Sequence, residues 1–401
     1  MHLTSLHLKN FRGFKESSFD FLPGINLIIG INGSGKTALL EACSISMGTF
    51  LSGLNSVDSK SLKIDDVRIE AFQSGREISF EQQFPVQIIA HGEVGNREIK
   101  WIVEKNKSKG RQSNSGALDL IDVAKYLDFR VRGGDYAILP VLAYYGNGRL
   151  WQDSSKNNDP KNGNAELPSR FDGYKLALRS SCSASALQKW IGTREWEKFV
   201  SNDIDILLEL IYSTIAKTIE GVKNVIFSAK RREIVLEFEN GNKLPFSLLS
   251  DGQRELVALI GDIAVRMIQL NPQFRNDVLT KTPGIVLIDE VDLYLHPKWQ
   301  REILNKLSTI FPLVQFICTT HSPQIIGEVA PDRIIVLDPN HGLEHSFGLD
   351  SNTIIEDVMN ALPRNEKVFK LLQQQILLSL RKSWTMQKKS CSRSRICSER
   401  G

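Results

Sequence analysis

Short apolar runs that end in glycine, acidic or hydroxyl residues recur along the chain and predict a buried parallel sheet. Strands covered on both faces have continuous apolar segments rather than alternating ones. Three such segments are INLII at 25–29, IVLI at 285–288 and the mostly apolar VQFIC at 314–318. The fold class expected from them is α/β, with a mixed or parallel core sheet.

Other parts of the chain predict the elements around that sheet. EISFEQQF, VQIIAH and REIKWIV predict short antiparallel strands within residues 1–145. Helical patterning follows at 173–220, a hairpin is predicted near 224–246, and the Asn-, Pro- and Gly-rich stretch 152–170 is expected to be a mobile loop. The predicted parts are an N-terminal lobe (1–150), an inserted helical lobe with its hairpin (151–245), a C-terminal lobe (246–345) and a C-terminal extension (346–401).

Length and charge leave several organisations open. At 401 residues the chain exceeds the length of about 100–200 residues that is usual for one domain, so one enlarged domain or two smaller ones are expected. The net charge of +4 is concentrated at one end, because residues 381–401 contain seven Lys and Arg but one Glu. Such a segment is typical of a solvated tail, a nucleic-acid-binding arm or a truncated or frameshifted end.

Two absences in the sequence bear on location and redox chemistry. No run of 18 or more apolar residues occurs, and the start MHLTSLHLKNFRGF lacks the apolar region of a signal peptide, so a cytoplasmic protein without a membrane partner is expected. The five cysteines have neither a C-x-x-C nor a zinc-ligand spacing, so reduced thiols are expected. They are Cys43, Cys182, Cys318, Cys391 and Cys397.

The first apolar run leads into GINGSGKT, which has the pattern G-x-x-x-x-G-K-T between a predicted strand and a predicted helix. Glycines allow backbone N–H groups to turn toward phosphate oxygens, and the lysine reaches the β- and γ-phosphates of a nucleotide. Thr37 is expected to offer its hydroxyl to Mg²⁺. An ordinary turn is the weaker alternative. The predicted ATP-binding residues of this loop are Asn32, Gly33, Ser34, Gly35, Lys36 and Thr37.

Polar residues follow the two later apolar runs. Asp289 and Glu290 end the run at 285–288, where Asp289 is expected to hold Mg²⁺ and Glu290 to polarise the water that attacks the γ-phosphate. His321 follows the run at 314–318 and is expected to contact the γ-phosphate. Two acids that merely close a strand, or a structural histidine, are the alternatives. The pairing of acids with the glycine-rich loop favours hydrolysis of ATP.

The stretch SLLSDGQREL at 247–256 reads on its own as the start of a helix expected at 253–269. Placed between the glycine-rich loop and the paired acids, it resembles the L-S-G-G-Q signature of ABC-type ATPases, with Asp251 as a departure. In that family the signature closes on the nucleotide of the opposite subunit. The resemblance implies ATP contacts from Ser250, Gly252 and Gln253, and a homodimer or higher oligomer.

Further motifs narrow the resemblance. The L-x-N-F-R-G start and the D-E-x-x-x-x-L-H-P block are similar to the structural-maintenance-of-chromosomes and RecF branch. LPVLAYYGNGRLW, RFDGYKLAL and FGLDSNTIIEDVMN resemble bacterial anti-phage defence ATPases of the Septu (PtuA) and retron type. That resemblance implies an HNH effector nuclease, or a retron reverse transcriptase with its nucleic acid, as partners. The alternatives are a RecF-like repair ATPase that clamps DNA and, less favoured, a transport ATPase.

Some assignments stay open. YYGNGR at 144–149 occupies the place of the ABC Q-loop, with Gln152 as the nearest glutamine. Arg12 could approach the nucleotide or be a plain exposed cation. The basic loop KNKSKGR at 105–111 could contact DNA phosphates or be a solvated hairpin tip. The 80 residues after His321 are too few for a fused nuclease domain, and the H-x-x-x-H of HGLEH is expected to be a loop feature.

Overall fold

The computed structural model describes residues 1–74, 77–95, 97–148, 168–179 and 184–337, all of which belong to one compact unit, Met1–Phe347. Within them, a five-stranded core sheet has the strand order β14-β3-β13-β12-β8 and is parallel throughout. Three of its strands, β8, β12 and β13, contain only buried residues, as expected for a sheet covered on both faces. The strands are β3 (Ile25–Ile29), β8 (Val141–Tyr145), β12 (Gly284–Ile288), β13 (Val314–Thr319) and β14 (Ile334–Val336).

Strands from the N-terminal part of the chain form an antiparallel sheet of order β2-β1-β6-β7. Gln315 joins it to the core sheet, because its side-chain amide accepts from the Leu3 N–H at 2.7 Å and donates to the Leu3 carbonyl at 2.8 Å. A separate two-stranded ribbon is formed by β4 and β5. These strands are β1 (His2–Phe11), β2 (Phe14–Asp20), β4 (Ile69–Ser74), β5 (Glu77–Gln82), β6 (Val86–Val94) and β7 (Arg97–Lys105).

The remaining elements include eight described helices and a small antiparallel sheet. The longest helix, α5, is buried over most of its length and packs against β8, α3 and α4. The helices are α1 (Lys36–Leu51), α2 (Leu118–Arg132), α3 (Ala184–Ser201), α4 (Ile206–Thr218), α5 (Asp251–Leu270), α6 (Val278–Lys281), α7 (Pro297–Ile310) and α8 (Pro323–Ile326). The small sheet contains β9 (Val222–Ser228), β10 (Glu233–Phe238) and β11 (Lys243–Pro245).

The structure confirms the predicted core strands, the antiparallel strands and the hairpin, and it corrects the prediction at one helix. Residues 118–132 form α2 inside the region 1–145, for which the sequence predicted short strands around the helix of the glycine-rich loop. The reason is a narrow buried stripe, since only Leu120, Ala124 and the polar Asp128 are buried, one per turn. That pattern is weaker than the i, i+3, i+4 repeat by which an amphipathic helix is recognised.

Two further expectations can be compared with the structure. Cys43 and Cys318 are buried free thiols, as expected, whereas Cys182, Cys391 and Cys397 lie outside the described residues. Most of the loop 152–170 and the whole basic segment 381–401 lie outside them as well. No helix in the described ranges combines the length and apolar character that a bilayer crossing requires.

Candidate functional site

The glycine-rich loop follows β3 and leads directly into α1. Gly35 stands immediately before the helix with φ of +101°, a left-handed conformation that disfavours any side chain. A Cβ at this position would also lie 2.8 Å from Cζ of Phe14. Glycine is therefore the residue that fits here, and the loop lies close against the start of β2.

The loop leaves donors available at the start of α1. The first N–H groups of a helix have no intrahelical acceptor. In α1 no side chain caps them either. The Ser34 hydroxyl is buried without a partner among the described residues. The Lys36 side chain lies over the loop, where its Nζ donates to the carbonyls of Gly30 at 2.8 Å and Ile31 at 3.0 Å. Unpaired N–H groups, a free hydroxyl and a lysine at a helix N-terminus fit the phosphates of a nucleotide.

Asp289 follows β12 and meets the first turn of α1. Its Oδ2 accepts from the Thr37 hydroxyl at 2.9 Å, and its Oδ1 accepts from the Thr319 hydroxyl at 2.6 Å. The Asp289 side chain is buried, whereas Thr37 is exposed at the mouth of the loop. Two adjacent oxygen ligands fit Mg²⁺, which takes few protein ligands and completes its shell with phosphate and water.

Glu290 and His321 lie in the same electrostatic cluster. Burial lowers the pKa of Lys36, while the charges of Asp289 and Glu290 act to raise it. Burial also lowers the pKa of His321, and the positive charge of Lys36 lowers it further. The His321 imidazole is therefore neutral at pH 7 and can accept or donate a hydrogen bond. The predicted lysine, acids and histidine thus interact electrostatically.

The signature segment is built differently. Ser250 caps α5 in a closed capping box, because its hydroxyl accepts from the Gln253 N–H at 3.3 Å and its own N–H donates to Gln253 Oε1 at 3.1 Å. Ser250 is exposed, whereas Gly252 is buried, and a Cβ on it would lie 2.5 Å from the Tyr294 carbonyl oxygen. Gly252 therefore has a packing role beside the ATP contact that the resemblance implies for it.

The core sheet separates the signature helix from the glycine-rich loop. α5 packs beside β8, and two strands lie between β8 and β3. Three strand spacings amount to about 14 Å. The two motifs are thus associated with strands that lie three positions apart in the same sheet.

The other candidates have mixed outcomes. Arg12 forms an ion pair with the buried Asp66, with a distance of 2.7 Å from Nη2 to Oδ1. Asn32 and Gly33 are exposed at the tip of the loop. Tyr145 ends β8, and its carbonyl accepts from the Asp289 N–H at 2.7 Å, so the proposed Q-loop region leaves the sheet beside Asp289. Several candidates lie outside the described residues, namely Arg149, Gln152, His341 and His345.

Thr319 is a residue of the site that the sequence analysis did not single out. Its hydroxyl contacts Asp289 and also accepts from the Glu290 N–H at 2.7 Å. The parallel register pairs Ile288 with Cys318, so the next residues along the two strands are neighbours. A hydroxyl residue at the end of the predicted strand 314–318 was the available signal.

Comparison with protein families decides the assignment. A model described as an AAA domain matches residues 5–220, more than half of the chain, and an AAA ATPase domain model matches residues 148–326. The chain belongs to the AAA ATPase family. It is an ATPase, and the family implies ATP as its ligand.

Three proteins are similar in sequence to this AAA ATPase over most of its length. It is 26% identical to the retron Vc95 probable ATPase of Vibrio cholerae, over 88% of this chain and 76% of the relative. It is 24% identical to the Septu protein PtuA of Bacillus thuringiensis, over 89% and 84%. It is 28% identical to the DNA replication and repair protein RecF of Heliobacterium modesticaldum, over 83% and 97%. This AAA ATPase is thus similar both to proteins named for retron and Septu systems and to a DNA replication and repair protein.

A solved structure of an SMC head bound to the C-terminal winged-helix domain of ScpA matches 86% of this chain and 96% of that chain. The sequence identity is 16% and the TM-score is 0.49.

Proposed function

We propose that this ATPase binds Mg²⁺ and ATP at the glycine-rich loop, hydrolyses ATP between two copies of the chain, and controls a separate effector nuclease in anti-phage defence. The observation that carries the nucleotide site is the hydrogen bond from Thr37 to Asp289. It joins the first turn of α1 to the end of β12, where a metal ion would find two oxygen ligands. Bound Mg²⁺ would neutralise charge that develops on the phosphates.

Each protein group has a distinct part in this proposal. Lys36 and the N–H groups of the loop bind the β- and γ-phosphates. Glu290 accepts a proton from the attacking water, and the neutral His321 contacts the γ-phosphate. The electrostatic coupling of Lys36 with Glu290 and Asp289 supports a common site for these groups.

Dimerisation is proposed from the signature segment. Ser250 is exposed at the start of α5, and the sheet order separates that helix from the loop of the same chain. A second copy would bring its Ser250 to the nucleotide that the first copy holds. The predicted lobes 1–150 and 246–345 would then each contribute one face of the composite site.

The catalytic part of the proposal is tested by Glu290→Gln. Because the glutamate acts on the attacking water rather than on the bound nucleotide, ATP affinity should be preserved while phosphate release stops. Equilibrium binding of a fluorescent ATP analogue and a phosphate-release assay measure the two quantities. Glu302→Gln on α7 is the matched control, since Glu302 pairs with Lys306 on its own helix. Near-normal hydrolysis in Glu290→Gln would remove Glu290 from this role.

The choice between defence and repair depends on the partner. The Vibrio and Bacillus relatives favour a defence ATPase, and the full-length RecF match favours the alternative of a repair ATPase that clamps DNA. An HNH nuclease or a reverse transcriptase that co-purifies with the ATPase from its native host would support defence. Binding to gapped duplex DNA without any protein partner, together with neighbouring genes for replication and repair only, would support the RecF-like function.

A further inference from the structure

Thr319 contacts three consecutive residues that directly follow the neighbouring strand β12. Its hydroxyl donates to Asp289 Oδ1 at 2.6 Å and accepts from the Glu290 N–H at 2.7 Å. Its carbonyl accepts from the Val291 N–H at 2.9 Å. Thr319 is fully buried at the end of β13. It therefore holds the segment that leaves β12 at the residues proposed for metal binding and catalysis.

The hydroxyl has two roles that few side chains can combine. A hydroxyl donates one hydrogen bond and accepts others from the same oxygen. Valine has the same shape as threonine but can do neither, whereas serine can do both. The two bonds to Asp289 and Glu290 thus depend on the oxygen, while the bond to Val291 depends only on the backbone.

Glu290 needs such a restraint because its backbone is strained. Its φ is +49°, and a left-handed conformation is unfavourable for a residue with a side chain because Cβ crowds the following carbonyl oxygen. Residues keep such conformations only where their surroundings hold them, often at functional sites. The hydrogen bond from the Glu290 N–H to Thr319 is a contact that holds this backbone directly.

Asp289 is held from both sides. Thr319 engages Oδ1 and Thr37 engages Oδ2, at 2.6 and 2.9 Å. With each oxygen bonded to a different element, rotation of the carboxylate would break at least one bond. The Thr319 bond therefore keeps Oδ2 directed toward the Thr37 hydroxyl.

We infer that Thr319 is a positioning residue for ATP hydrolysis, which uses one hydroxyl to orient the Asp289 carboxylate and to hold the Glu290 backbone. This inference rests on the proposed roles of Asp289 and Glu290. It adds a residue outside the motifs themselves and makes the end of β13 part of the catalytic framework. Thr319 touches neither water nor nucleotide in this role.

The test is Thr319→Val in the full-length protein. Residues that orient a metal ligand typically change activity or metal affinity by about 10- to 100-fold, so kcat should fall by about that factor. The Mg²⁺ concentration that gives half-maximal hydrolysis should rise. Binding of a fluorescent ATP analogue in EDTA should be unchanged, because Lys36 and the loop bind phosphate without Asp289.

Two control variants separate positioning from packing. Thr319→Ser keeps both hydroxyl bonds and should retain the kcat of the wild-type protein. Thr282→Val removes another fully buried hydroxyl, which accepts from Asn271 at 3.2 Å just before β12 begins. Both valine variants lose a buried hydroxyl and should lower the urea midpoint. Thr282→Val, however, should leave kcat and the Mg²⁺ requirement unchanged.

The outcomes are distinguishable from failure of the proposed function. If Glu290→Gln abolishes hydrolysis but Thr319→Val keeps normal kcat and normal Mg²⁺ dependence, the inference about Thr319 is wrong and the proposed function stands. If Thr319→Ser is as slow as Thr319→Val, the hydroxyl is not the reason and the inference is also wrong. If Glu290→Gln hydrolyses ATP normally, the proposed role of Glu290 fails instead. Should Thr319→Val not fold, Thr319→Cys, whose thiol is a weak donor, replaces it and should be slower than Thr319→Ser.

Discussion

The N-terminus of α1 and the N-terminus of α5 are both predicted to bind phosphate, yet their local structures differ. α1 is preceded by Gly35 and has no side-chain cap, and the Ser34 hydroxyl beside it is buried without a partner among the described residues. α5 is preceded by Ser250, whose hydroxyl and N–H both bond to Gln253. One helix start leaves its donors for a ligand, and the other satisfies part of them with its own capping box.

This difference indicates that the two helix starts contribute differently to nucleotide binding. An open helix start with a lysine can bind an anion tightly by itself. A capped and exposed start has fewer free donors, so a ligand there has to be brought by another surface and adds less affinity. In the proposed dimer, the α1 site would bind ATP, and the α5 site would close on ATP that is already bound.

Of the variants that test this difference between the two helix starts, Lys36→Ala is expected to have the largest effect. ATP affinity should fall by about 100-fold or more, since hydrogen bonds that involve a charged group contribute about 1.5–3 kcal/mol each. Equilibrium binding of a fluorescent ATP analogue measures the loss. Lys281→Ala is the control, because Lys281 is exposed and pairs with Asp277 away from the loop. Unchanged affinity in Lys36→Ala would contradict the assignment of the loop.

A second variant, Ser250→Arg, should leave ATP bound to each loop but stop hydrolysis, because the long side chain would fill the space into which the second copy must close. Mixing Ser250→Arg with Lys36→Ala chains should restore part of the hydrolysis. A mixed dimer then contains one composite site with an intact Lys36 and an intact Ser250. Phosphate release before and after mixing measures the recovery.

The control for the mixing experiment uses a chain with both substitutions. When Lys36→Ala chains are mixed with the double variant, no composite site has an intact lysine, so hydrolysis should not recover. If Ser250→Arg instead prevents ATP binding to the isolated chain, the signature acts within one chain or supports its fold. The proposal that ATP is hydrolysed between two copies of the chain would then be wrong.

The smallest effect is expected from Ser250→Ala, which removes only the cap. Loss of a serine N-cap costs about 1 kcal/mol, whereas glycine at the same position costs a few tenths. The urea midpoint should therefore fall for Ser250→Ala and stay near that of the wild-type protein for Ser250→Gly. An unchanged midpoint in Ser250→Ala would show that the capping box contributes little to α5.

The sequence predicted well the secondary structure around the candidate site, because that structure follows short local rules. A glycine-rich loop after an apolar strand predicts a phosphate site at a helix start, and the structure has β3, the loop and α1 at the expected residues. The apolar run before Asp289 likewise became a fully buried strand. α2 was missed because its buried stripe has one residue per turn, a pattern with little local signal.

By itself, the sequence determined the local elements around the candidate site, namely β3, the start of α1 and β12, because loop conformation and strand burial depend on neighbouring residues. The tertiary structure alone decided which distant groups meet. Thr37 and Thr319 hold the two oxygens of Asp289 because β12 and β13 are adjacent and α1 starts beside their ends. Such contacts join residues 252 and 30 positions apart along the chain, and strand order, which no local pattern encodes, brings them together.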